Sequence, residues 1–144
     1  MAHYQATVTS PRPPTEVFEE LAEFSNAARW DPGVVEGERT TEGPLGVGTS
    51  FRLLVSVLGR RVPLEYRVVA FEPPRRVVLQ AENGSVRSTD EIEVVASGQG
   101  GCTVTYDANL QLRGPARLFS PMLAGAFRRI GDRAMVGLRE ALAS

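Results

Sequence analysis

The sequence predicts an α+β fold: a curved antiparallel sheet wrapped around a long C-terminal helix, with two short helices after the first strand. Three observations carry this reading. Residues 34–113 alternate apolar and polar with a period of two and are broken by short turns, which is the pattern of antiparallel strands with one dry face and one wet face. Residues 120–143 switch to helical spacing. Residues 14–30 do the same for a shorter distance, between two extended stretches. The 144 residues suffice for one domain, residues 1–144, with its own core.

Residues 4–10 alternate, with Tyr4, Ala6 and Val8 on one face, and Pro11, Pro13 and Pro14 end this first strand. Pro14 suits a first helical turn, and Val17, Phe18, Leu21 and Ala22 then recur at helical spacing opposite Glu16, Glu19, Glu20 and Glu23. Ser25 is placed to cap a second short helix running through Trp30, which Asp31-Pro32-Gly33 breaks. Phe51, Leu53, Val55 and Val57 share one face of a strand that turns at Leu58-Gly59-Arg60-Arg61. Val62, Leu64, Tyr66, Val68 and Ala70 follow on the dry side, and Pro73-Pro74 stops the run. Val77, Leu79 and Ala81 make a short strand, ended by Asn83-Gly84, which signals a type I′ hairpin. Residues 86–95 come next, then the Gly-rich turn 97–101. Cys102, Val104, Tyr106, Ala108, Leu110 and Leu112 alternate most cleanly of all. Gly114-Pro115 closes the sheet, and Ser120-Pro121 reads as a helix N-cap followed by proline at the first position. The last helix carries a stripe of Leu123, Phe127, Ile130, Ala134, Leu138 and Ala141, flanked by Ala126 and Gly137, with Arg128, Asp132 and Arg139 opposite.

Composition narrows the chemistry. The formal net charge is −1, which leaves no basic field for nucleic acid or anionic lipid. All 16 basic residues are arginine. Without lysine there is no Schiff-base nucleophile, no pyridoxal-phosphate attachment and no P-loop. A single histidine, His3, and a single cysteine, Cys102, exclude a His-rich metal site, a zinc knuckle and an internal disulfide. No cofactor and no metal are expected. His3 is expected at a frayed terminus, and Cys102 as a small buried hydrophobe. Met1-Ala2-His3-Tyr4-Gln5 has neither the basic nor the apolar region of a signal peptide, and no apolar run approaches the ~20 residues of a membrane span, so a cytoplasmic protein without membrane insertion is expected. The exclusive use of arginine fits a GC-rich bacterial genome.

A strand, two short helices, a meander of strands and a long final helix form a helix-grip arrangement. In this order the chain resembles the START-like, or SRPBCC, superfamily, and within it the polyketide cyclase/dehydrase and lipid-transport family. The resemblance rests on Ser10-Pro11 through Pro14-Thr15-Glu16-Val17-Phe18, Trp30-Asp31-Pro32, Gly46-Val47-Gly48-Thr49-Ser50-Phe51, Phe71-Glu72-Pro73-Pro74-Arg75-Arg76-Val77, Gly101-Cys102-Thr103-Val104-Thr105-Tyr106 and the terminal helix. It implies a cavity between sheet and helix that binds a small hydrophobic molecule of lipid, polyketide or isoprenoid type, for carriage or sequestration. The alternative it implies is a cyclase- or dehydratase-like enzyme acting on a ligand in the same cavity. A cavity of the ~300–1,000 Å³ class is expected.

Inward parity puts Phe51, Leu53 and Val55, then Tyr66 and Val68, then Leu79, on the expected wall. Ser88, Asp90, Tyr106 and Ala108 continue it, Leu123, Phe127 and Ile130 face it from the helix, and Trp30 plugs one end. The small Ala126, Ala134, Gly137, Ala70, Ala81 and Ala108 either let the elements approach closely or leave space. Asp90 is the candidate acid or base, with Tyr66 and Tyr106 as its hydroxyl partners, because an inward carboxylate must be paired, hydrogen-bonded or functional. The competing reading is a structural Asp90 that is solvated or paired with Arg129 or Arg133. Gly43, Gly46 and Gly48 precede a strand rather than a helix, so they form a loop at the cavity mouth and not a phosphate loop. The arginine pairs 60–61, 75–76 and 128–129 read as solvated, with Arg75-Arg76 also placed to recruit an acidic ligand. The partner expected is a small apolar ligand, not nucleic acid, and the chain is expected as a monomer or homodimer.

Overall fold

The computed structural model describes residues 2–57 and 59–143; Met1, Leu58 and Ser144, and the side chains of Phe119 and Ser120, lie outside the description. Predicted features at Leu58 and at the Ser120 cap therefore fall outside it. Seven strands form one sheet: β1 (Ala2–Ser10), β2 (Val34–Arg39), β3 (Ser50–Val57), β4 (Arg60–Glu72), β5 (Arg76–Glu82), β6 (Val86–Ala96) and β7 (Cys102–Leu112). Their order is β1-β7-β6-β5-β4-β3-β2, antiparallel at every step. The helices are α1 (Pro14–Ala22), α2 (Ala27–Trp30) and α3 (Ser120–Ala141), with single 3₁₀ segments at Phe24–Asn26 and Gly114–Phe119. The predicted fold class is the observed one.

α1 starts with Pro14 at its first position and buries Val17, Phe18, Leu21 and Ala22, the predicted face. Ser25 is not a cap: its hydroxyl donates to Glu23, and α2 begins two residues later with no side-chain cap. α2 ends where Asp31 turns back to accept from the Gly33 amide at 2.8 Å. His3 is not frayed; it lies inside β1 opposite Asn109 and bonds Asp107 at 3.0 Å. Cys102 is buried at the start of β7, as expected.

Two departures from strict alternation matter. β4 carries a bulge between Val68 and Ala70, which shifts every later residue by one. Val69 turns outward, and Phe71, not Ala70, takes the inward place opposite Val77 and packs its ring 5.6 Å from Phe18. The second departure is the β5–β6 hairpin. Asn83 bonds Val86, so the central residues are Gly84 and Ser85, and Gly84 does not take a positive φ. The Asn83 side chain accepts from the amides of Ser85 and Val86, and that local bond replaces the expected type I′ geometry.

α3 runs alongside β1 in the same direction. Leu123 clusters with Ala2, Asp132 accepts from the Tyr4 hydroxyl at 2.7 Å, and Ser10 donates to the Leu142 carbonyl at 2.6 Å. The lengths match: eight strand steps of ~3.4 Å and nineteen helical steps of ~1.5 Å give about 27 and about 29 Å. The helix packs chiefly on β1 and α2, so it stands off from the middle strands. The main core fills the space around α1 and α2, and a smaller cluster of Ala2, Leu110 and Leu123 lies near the start of α3.

Candidate functional site

Between those two clusters, under α3, is a cavity of about 120 Å³. It is smaller than expected from the sequence, because large side chains reach into it from every side. Trp30 and Tyr106 meet edge to face at 5.8 Å, and Phe24 meets Tyr66 the same way at 5.0 Å. Phe127 and Met135 descend from α3.

The wall includes eleven of the residues expected there. Leu53 and Val55 come from β3, Tyr66 from β4, Ser88 and Asp90 from β6, and Tyr106 and Ala108 from β7; Leu123, Phe127 and Ile130 come from α3, and Trp30 closes the α2 end. Phe51, Val68 and Leu79 do not reach it. They are fully buried in the main core instead, Phe51 with its ring 6.5 Å from that of Phe24 in the 3₁₀ turn. The loop 40–49 contributes nothing to the wall either, so the glycines do not form its mouth. That loop is tied down instead by Gly48 to Val68 and Thr49 to Gly46 backbone bonds. Arg75 and Arg76 are also remote, and Arg76 is held between Glu72 at 2.7 Å and Glu91 at 2.6 Å.

The small residues divide between the two readings left open for them. Ala108 and Ala134 line the cavity. Gly137 serves close approach, since a Cβ there would sit 1.8 Å from the Trp30 carbonyl oxygen.

The polar part of the wall is one connected chain. Ser88 Oγ donates to Asp90 Oδ1 at 3.3 Å, and the Tyr106 hydroxyl donates to Asp90 Oδ2 in a short hydrogen bond. Tyr66 and Ser88 hydroxyls lie 2.8 Å apart. With the Ser88 proton spent on Asp90, the Tyr66 hydroxyl is the donor in that pair. Burial raises both tyrosines well above their ordinary range, and the Asp90 charge adds to this, so they remain donors. Asp90 is neither solvated nor paired with Arg129 or Arg133, both of which are exposed. Burial pushes its carboxyl up to about 7, opposed by the bonds from Tyr106 and Ser88.

Sequence reasoning missed Asp31, having read it only as a helix breaker. It lines the same cavity, and burial pushes it up to about 6, opposed by the bond from the Gly33 amide. Its charge acts on Asp90, Tyr66 and Tyr106. Tyr4, Phe24, Leu64 and Met135 were also missed as wall residues. The first and third share the inward parity of their strands, so that signal was available. No group of His, Cys, Asp and Glu able to hold a metal occurs among the described residues.

A curved antiparallel sheet gripping a long C-terminal helix over an internal cavity defines the START-like class of proteins. Within it, a family model described as polyketide cyclase / dehydrase and lipid transport matches residues 1–143, and the chain belongs to that family. An uncharacterized protein of Mycobacterium tuberculosis is 30% identical over 133 residues, covering 88% of this chain and 78% of that one. Among solved structures, a START superfamily protein from Mycobacterium smegmatis superposes with a TM-score of 0.77 at 13% identity, over 99% of this chain and 97% of that one. The Zhui aromatase/cyclase from Streptomyces sp. R1128 superposes with a TM-score of 0.76 at 19% identity, over 97% and 90%. At these identities the two structures share the fold.

Proposed function

We propose that this protein binds a small hydrophobic molecule in the cavity under α3, for carriage or sequestration. The observation that carries this reading is a mostly apolar cavity under α3 with a buried hydrogen-bonded polar chain ending on Asp90. Apolar walls supply affinity and a few placed polar groups fix orientation, which is the usual design of small-molecule sites. The family supports the same reading. A dry cavity of about 150 Å³ accepts a benzene-sized guest, so the resting volume here suits one ring. Native mass spectrometry of gently purified protein, followed by titration with single-ring aromatics, fatty acids and polyaromatic compounds, tests it. A bound or bindable apolar molecule is expected; a protein that takes up none of them has another role.

Asp90 favours a second reading, a cyclase-like enzyme. A buried carboxyl whose proton leaves near pH 7, bonded to a tyrosine on the cavity wall, is poised as a general acid or base. Co-expression with a minimal polyketide synthase would then change the product profile, and Asp90→Asn would abolish the change while the protein stays folded. An unaltered profile with the native chain sets this reading aside.

A further inference from the structure

The polarity of the cavity's hydrogen-bond chain says which ligands it can satisfy. The three hydroxyl protons all run inward along the chain, from Tyr66 to Ser88, from Ser88 to Asp90 and from Tyr106 to Asp90. None of these three is left to offer a ligand, and the Tyr4 hydroxyl on the same wall is spent on Asp132. The side-chain donors that remain on the wall are the Trp30 indole N–H and the exposed Ser56 hydroxyl, neither of them part of the Asp90 chain. An ionised carboxylate has about four acceptor positions, and each Asp90 oxygen has used one. Asp31, the second acid on the wall, receives only the Gly33 amide. No arginine lines the cavity among the described residues. Above about pH 7, where both carboxyls are ionised, the hydroxyl chain and both acids thus present acceptors and negative charge, with no arginine on the wall beside them.

We propose, building on the ligand-binding reading above, that the Asp90 chain makes this cavity prefer single-ring apolar molecules carrying a hydroxyl or amino donor over carboxylates and acceptor-only carbonyl compounds. A donor reaching Asp90 fills a vacant acceptor position. A carbonyl oxygen there meets only lone pairs and loses its bonds to water, at a cost of about 1–3 kcal/mol. A carboxylate adds repulsion from two like charges in a poorly solvated space.

Four ring compounds of similar size separate the outcomes: benzyl alcohol, acetophenone, benzoate and toluene. Their affinities are measured by protein-observed NMR at pH 8, above the pH at which Asp90 gives up its proton. Benzyl alcohol is expected to bind at least about tenfold more tightly than acetophenone, with benzoate weakest. Binding of toluene or acetophenone as tight as that of benzyl alcohol overturns the donor preference but leaves apolar binding standing. Binding of none of the four overturns this inference, and the ligand-binding reading falls with it only if fatty acids and polyaromatic compounds are not taken up either. In Asp90→Asn, which brings its own amide donor, the gap between benzyl alcohol and acetophenone should shrink; an unchanged gap removes Asp90 as its source. If that variant does not fold, the ranking on the native chain decides.

Discussion

Asp90 makes folding stability depend on pH. Its carboxyl loses a proton at about 7 in the folded protein, against an ordinary value of 3.8 for the unfolded chain. Between those values the folded state holds a proton that the unfolded state has released, so stability falls as pH rises through this window. The stabilisation is fully present below about pH 4 and gone above about pH 7. Asp31, raised to about 6, acts with the same sign. From pH 5 to pH 8 the Asp90 contribution alone amounts to a loss on the order of 2–3 kcal/mol. Urea unfolding at the two pH values should therefore give a lower midpoint at pH 8, and Asp90→Asn should flatten most of that difference. An equal drop in the variant would mean that Asp90 is charged at both pH values. Tyr106→Phe tests the network from the other side. Removing the donor takes away the strongest stabiliser of the carboxylate, so the Asp90 proton should be held to a pH above 7, as read by carboxyl-carbon NMR, and stability above pH 8 should drop by about 1–3 kcal/mol.

The glycines of α3 are not equivalent, and the differences show how the helix is seated. Gly137 lies against the end of α2, where an added Cβ would come within 1.8 Å of the Trp30 carbonyl oxygen. That neighbour is backbone and cannot swing aside, so Gly137→Ala should separate α3 from α2 and destabilise by about 1–3 kcal/mol. Gly125 has nothing within 4 Å of the same position, and there alanine should stabilise by up to about 1 kcal/mol through helix propensity alone. Thermal melts of the two variants should move in opposite directions; a neutral Gly137→Ala would mean that α2 and α3 are not in rigid contact. For Gly137 close approach was one of the two readings open in the sequence, and the structure selects it; for Gly125 the sequence offered no signal. What was legible depended on solvent. β7 was read almost residue for residue because one face is wet and the other dry, so Thr103, Thr105 and Asp107 mark the register. Signals failed where a local bond outweighed the pattern, as at the Asn83 side chain and the bulge after Val68. Parity brought Tyr66, Ser88, Asp90 and Tyr106 together correctly. It could not find Asp31, which sits on a turn with no period to place it.

At the scale of the whole molecule, the size of the cavity is set by side chains more than by the backbone. α3 is tied to β1 along its length, from the Ala2–Leu123 cluster to the Ser10–Leu142 bond, and to α2 through Gly137. Those ties hold the helix away from β3, β4 and β6, and the gap is then narrowed by rings from the helix and both walls. Trimming a ring should therefore enlarge the cavity without moving the helix. Phe127 is the suitable position, since it lines the space, is only half-buried and takes no part in the Asp90 network. Phe127→Ala should cost up to about 3 kcal/mol and let a two-ring donor, 2-naphthol, enter a cavity that the native side chain restricts to one ring. The expected result is measurable binding of 2-naphthol to the variant, with the native protein at least about tenfold weaker. Equal binding to both would show that α3 moves off the sheet in the native protein. In that case the ties to β1 and α2 would yield to ligand, and the space under α3 would be a resting state, not a limit on ligand size.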